Sequence, residues 1–304
     1  MNGRPPKRRL RSGGELQSGL VYYPLYREGA DMRNRFTATG AMIPTAAVLA
    51  VLWLGMIRTA GQAPGFAPPR GPDGHPKLDG IWQALNTANW DIQDHSQRAG
   101  PTQLGAIAST PGGIGIVEGD EIPYQPWAAA KKKENFDHRW TADPEVKCYL
   151  PGVPRATYLP LPFQIVQGTN KIILTYEYAG AVRVLHLDKV PDSPVDTWMG
   201  HSVGRWDGDT LVVDVTSFND QTWFDRAGNF HSDALHVVER YTPLGPNHLN
   251  YEATIEDQKV FTRSWKMSMP LYRRLDQRAQ LVGFKCVEFS EELLYGHLRK
   301  KSKD

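Results

Sequence analysis

Cysteine is scarce in this chain: Cys148 and Cys286 are the only two among 304 residues. A disulfide-dense scaffold is therefore excluded, and at most one internal bridge can form. Strands do not alternate with long helical patterns, which argues against a nucleotide-binding α/β fold. The Gly-rich stretch PGGIGIVEGD (111–120) has no Lys-Ser/Thr after it and opens no strong helix, so it is not a phosphate loop. No internal repeat is visible. Net charge is only +2, and it is unevenly spread. Nine of the 35 Lys/Arg but three of the 33 Asp/Glu precede Pro64, which leaves the remainder acidic by four. Such a body is a poor match for nucleic acid.

Long apolar runs are also missing, with one exception. AMIPTAAVLAVLWLGMI (41–57) follows the basic Met32-Arg33-Asn34-Arg35 and precedes the small-residue trio Gly61-Gln62-Ala63. These are the three parts of a secretory signal peptide over residues 32–63. The run is near the lower limit for a membrane span, so an uncleaved signal anchor is the alternative, and the only route to a membrane. Both readings place the body outside the cytoplasm, in a periplasm or the extracellular space. Residues 1–31 read as a disordered upstream extension, with initiation at Met32. No lipid-attachable Cys follows the apolar run, so no lipid attachment is expected. In an oxidising compartment, Cys148 and Cys286 are most simply one disulfide.

The exported part reads as β structure. Residues 64–77 form a Pro/Gly-rich flexible lead. A single β-rich domain is expected over 78–298, with a basic tail at 299–304. Residues 123–139 give the best helix, with Pro126 in its first turn. CYLPGVPRATYLPLP (148–162) carries too many prolines for anything but an extended, irregular path. KIILTYEY and AVRVLHLD flank Ala179-Gly180 as a hairpin, which sets Tyr176 opposite Arg183. RWDGDTLVVDVTSF (205–218) turns at Asp207-Gly208, a strong short hairpin signal. HLNYEATIE puts Leu249, Tyr251, Ala253 and Ile255 on one face. VFTRSWKM and QLVGFKCVEF (280–289) follow as further strands. The expected fold is mainly β: an antiparallel barrel of lipocalin type or a sandwich, with one or two short helices in an N-terminal insertion. Trp82, Trp206 and Trp265 are assigned to packing.

Several motifs resemble a widespread, functionally uncharacterised family of secreted bacterial proteins. They are Trp198–Gly200, Gly208–Val213, Asn219–Trp223, His231-Ser232 and Glu239–Tyr241. CYLPGVPR (148–155) and the stretch around Cys286 are similar too. The resemblance covers most of 78–298. It implies export and one β-rich domain, and it names no substrate or catalytic residue.

Chemistry concentrates in FNDQTWFDRAGNFHSDALHVVERY (218–241). Alternation groups His236, Val238 and Arg240 on one face of its strand, and Leu235, Val237, Glu239 and Tyr241 on the other. The preceding loop would bring Trp223, Asp225, Arg226, His231 and Asp233 to a barrel mouth, the usual layout for a small-ligand site. Binding of a small hydrophobic or aromatic molecule is the leading expectation, with Arg155, Arg226, Trp223, His236 and Glu239 as contacts and no cofactor. The alternative is a cofactor-free isomerase, lyase or hydrolase. There His231 acts as acid or base, Asp225 orients it, and Arg155 or Arg226 holds an anionic group. A metal held by His231, Asp233 and His236 is a weaker option, since strand geometry splays 231 and 236 apart. Against all of these stands a structural role, because Asp and Ser in turns commonly bond their own backbone. Ser202 in GHSVG (200–204) matches a nucleophile elbow in letters only, because a hairpin follows it.

Overall fold

The computed structural model describes residues 66–100 and 109–290. The expected signal segment, upstream extension and basic tail lie outside these residues. Apolar and β-branched residues at every second position build nine strands. These are β1 (Gly80–Ala84), β2 (Phe163–Gln167), β3 (Lys171–Tyr176), β4 (Val182–His186), β5 (His201–Asp207), β6 (Thr210–Thr216), β7 (His236–Gly245), β8 (His248–Glu256) and β9 (Trp265–Arg273). They pair in chain order, and β1 meets β9 to close a barrel. The mainly β barrel expected from the alternation is therefore the fold.

Its ring is antiparallel at every junction but one. β4 and β5 run parallel, and only Leu185↔Ser202 and His186↔Val203 are in register there. The segment 187–200 carries the chain back along the barrel to make that junction. The strand directions also sort the connections. Tight turns join β2–β3, β5–β6 and β7–β8 at one end. The long segments 85–162, 217–235 and 257–264 gather at the other. Helices α1 (Pro126–Asp137), α2 (Arg139–Ala142) and α3 (Arg155–Tyr158) sit in the first of these. Pro126 opens α1, where a missing N–H costs nothing.

Inward positions are closed to solvent all round the ring. Trp82, Phe163, Leu174, Leu185, Val213 and Tyr251 are among them, each at most 1% exposed. β8 shows the alternation most clearly, with Leu249, Tyr251, Ala253 and Ile255 buried and their neighbours not. Burial of this aliphatic and aromatic surface is the main drive to fold, at roughly 25 cal/mol per Å² of apolar area. Trp82 and Trp265 pack in it as expected. Trp206 lies at its margin and stacks on His75, with ring centroids 4.8 Å apart.

Four local expectations change. Residues 66–77 are not simply a lead: Arg70 and Pro76 bridge across a turn, and His75 makes the stack on Trp206. The prolyl segment 148–162 includes the single turn α3. The β3–β4 hairpin is two residues longer in its link, because Tyr178–Gly180 forms a 3₁₀ turn with Ala179 at φ 54°. Arg183 thus pairs with Leu174 and not with Tyr176, and a shift of two keeps every side chain on its expected face. Finally, 280–289 is not a strand. With β1 paired to β9 the barrel has no free edge for a tenth strand. This segment instead lies outside, with Val282 and Val287 exposed.

What holds that segment is the disulfide between Cys148 and Cys286, with sequence separation 138. Phe289 N–H donates to the Val146 carbonyl at 2.7 Å, and Phe284 stacks on Tyr178. A bridge over so long a loop stabilises by about 5 kcal/mol in the chain-entropy account. Replacing both cysteines by serine should lower the unfolding free energy by up to that amount. Urea denaturation of the oxidised protein and the double variant measures it; unchanged midpoints would show the bridge to be energetically idle.

Candidate functional site

The loop-bearing end of the barrel holds most of the residues singled out from the sequence, but it engages them with one another. Arg155, 1% exposed, lies at the first position of α3. It donates from Nε to Asn89 Oδ1 at 2.8 Å, from Nη1 and Nη2 to Asp143 at 2.8 and 3.0 Å, and from Nη2 to Glu145 Oε2 at 2.7 Å. Arg226 grips Glu145 from the other side through Nε and Nη2, at 2.7 and 3.0 Å, and lies over the Trp90 ring. Two arginines and two acids therefore neutralise each other. Burial opposes ionisation of Glu145, yet Arg226 and Arg155 outweigh it and hold its carboxyl at about 2. The expected role of Arg155 or Arg226 in holding a substrate anion is corrected: acids of this chain already occupy that position.

His231 and Asp225 are both buried near this network, and no hydrogen bond joins them. His231 Nδ1 faces the Ser232 carbonyl at 2.8 Å, and a carbonyl only accepts, so Nδ1 carries the proton. Nε2 then accepts from the Thr222 hydroxyl at 2.5 Å. Burial pulls the His231 pKa down. A neutral ring with both nitrogens engaged has no lone pair left for a substrate. Asp225 accepts from the backbone N–H of Ile92, Ala227 and Asn229 and from Asn229 Nδ2. Burial, then Asp91, push its carboxyl up to about 7, against those donors. It ties the 225–229 loop to the 89–92 loop. Gly228, at φ 85°, lets the same loop meet α1, where a Cβ would stand 2.7 Å from Phe136 N. The expected acid–base pair at an open rim is thus corrected to two separate clamps under a closed one.

The remaining expected contacts scatter. Trp223 is partly buried against the core. His236 points outward between Glu256 and Asp214, at 3.0 and 3.3 Å. Asp233 is exposed and bound to Lys259. The trio His231, Asp233 and His236 therefore shares no point in space, because 231 packs inward and the other two face solvent. Among the described residues, no group of three or more His, Cys, Asp or Glu could hold a metal ion.

Glu239 belongs elsewhere, inside the barrel. It is 0% exposed, ion-paired to Arg183, and accepts from Tyr241 and Tyr251 hydroxyls at 3.1 and 2.8 Å. Burial and then the Glu239 carboxylate push both tyrosines far up, so they stay protonated donors. Arg183 Nε donates to Ser202 Oγ at 2.8 Å, which fixes the GHSVG serine as part of a strand contact and not a nucleophile elbow. Glu239 on an otherwise apolar strand face was the sequence signal for this network. Its partner Arg183, between Ala181 and Leu185 on one face of the run that holds β4, carried the same mark.

Ser202 also belongs to the parallel junction, and a cleft of about 350 Å³ opens on it. Above the two registered pairs, β4 and the end of 187–200 diverge. Leu150, Val182, Val184, Trp198 and Met199 line it together with His186 and His201, and the surface it exposes is more polar than apolar. Trp198 is steadied by Tyr149, with centroids 4.9 Å apart. The two imidazoles stack at 5.5 Å. Burial, then His201 and Lys171, pull the His186 pKa down. His201 Nε2 is buried and makes no hydrogen bond. Nothing in the local sequence marked this cleft, since it exists only because 187–200 crosses over. The chain has no match among protein-family models or among curated proteins.

Two outcomes check the end-of-barrel network. Arg155→Leu strands Asp143 and Glu145 in a buried site and should cost about 3–5 kcal/mol in urea unfolding. Glu145 has a folded pKa below its usual 4.5, so its stabilisation is complete above pH 4.5 and lost as pH falls to about 2. The stability gap between wild type and Glu145→Gln should close across that window. A gap constant from pH 6 to 2 would contradict the ion-pair account.

Proposed function

We propose that this is an exported barrel protein that binds a small hydrophobic or aromatic molecule in the cleft at the β4–β5 junction. The observation that carries the reading is the buried, unpartnered His201 Nε2 in a cleft that also holds the Trp198 ring. Buried polar atoms are almost always bonded, so such an atom in a cleft suits a ligand. The volume is within the range of small-molecule sites, and Trp198 offers a ring face that Tyr149 already holds in place.

Export is supported by the signal-like segment and by the resemblance to secreted bacterial proteins. The Cys148–Cys286 bridge is compatible with an oxidising compartment. Among the described residues, no helix is long and apolar enough to cross a membrane.

Native mass spectrometry of the full chain after export to a periplasm should show a co-purifying organic mass. Trp198→Ala removes one wall at the margin of the core. It should strip that mass or weaken its binding about tenfold, the range seen when a buried aromatic anchor is lost. Retention of the ligand at full occupancy by Trp198→Ala would rule out the cleft as its site.

A further inference from the structure

Inside the ring, three buried polar atoms are left over from the Arg183–Glu239 network. Arg183 donates from Nε to Ser202 and from Nη2 to Glu239, but its Nη1 has no partner. The hydroxyls of Tyr176 and Thr157 are buried and unpartnered as well.

These atoms come from β4, β3 and α3, and they converge. Leu174 pairs with Arg183, so Tyr176, two positions on, is the diagonal neighbour of Arg183 on the same inward face. Arg183 and Thr157 both lie against the Tyr176 hydroxyl, and Thr157 lies against that of Tyr241 too. Tyr241 donates its own proton to Glu239 at 3.1 Å, which leaves its oxygen able to accept.

We propose that one internal water molecule is bound here as part of the core, by Arg183 Nη1 and the hydroxyls of Tyr176, Thr157 and Tyr241. The donors and acceptors match. A guanidinium N–H only donates, so whatever meets Nη1 is an acceptor. Arg183 Nη1 and the Tyr176 hydroxyl give to the water oxygen, and its two protons go to the oxygens of Thr157 and Tyr241. Buried waters typically make about three such bonds, so this site is well furnished. A halide is the poorer occupant. Glu239 already neutralises Arg183, and a further charge in this interior would be unpaired. The water ties α3, from the long 85–162 segment, to β3, β4 and β7. The site lies within the ring and stands apart from the cleft reading.

A high-resolution crystal structure of the full-length protein, grown with bromide as the halide, tests this. A spherical peak without anomalous signal should lie about 2.6–3.2 Å from Arg183 Nη1 and from the Tyr176 and Thr157 hydroxyls. A peak that carries the bromide signal would make the occupant an ion and overturn the water. Direct bonds among the three groups, with no density between them, would overturn it too. Tyr176→Phe gives a second reading in solution. A hydroxyl that holds a water is missed when removed, so the urea midpoint should fall. A hydroxyl without any partner is a buried penalty, and its removal would leave the midpoint unchanged or raise it. Either of those results would count against the site.

Discussion

A closed ring with an odd number of strands cannot be antiparallel throughout. Direction reverses at each antiparallel junction, so a ring that returns to its start needs an even number of reversals. Nine strands therefore require a parallel junction somewhere, and this chain places it between β4 and β5. Parallel neighbours cannot be joined by a tight turn. Residues 187–200 are the crossover that this demands. The short register of the junction, the diverging strands above it and the cleft between them follow from the same parity.

Polar groups in the barrel interior engage mainly one another. Arg183, Glu239, Tyr241, Tyr251 and Ser202 form one such set, and Arg155, Arg226, Asp143 and Glu145 form another. Ion pairs of this kind contribute little net stability against an apolar alternative but make loss of one partner severe. Their effect is to fix geometry. The first set pins β4 to β5 and β7 from within. The second binds the 85–162 segment to the 219–235 loop.

The parts of this fold that were legible in the sequence are local. Period-two alternation in β8 and a helix with Pro126 in its first turn rest on neighbours within a few residues. The disulfide was legible by counting. What was hidden depends on distant chain. The two-residue register shift in the β3–β4 hairpin follows from Ala179 taking a left-handed conformation, which no residue preference announces. The segment 280–289 has strand-like composition, yet closure by β1 and β9 leaves it no edge. Arg155, Arg226, Asp225 and His231 were recognisable as chemically able groups. Their engagement depends on Asp143, Glu145, Thr222 and the 89–92 loop, which fold onto them from elsewhere. His186 and His201 are fifteen positions apart and meet only through the crossover.

The disulfide has a bearing on the cleft as well as on the barrel. Cys148 is followed directly by Tyr149, which braces Trp198, and by Leu150, which forms part of the wall. Its partner Cys286 lies on a segment that has no place in the sheet. Oxidation therefore fastens the wall from outside the ring. A chain held with free thiols lacks the tether behind Tyr149. The ladder of the ring uses neither cysteine, whereas the bracing of the cleft wall is tied to a bond that needs an oxidant.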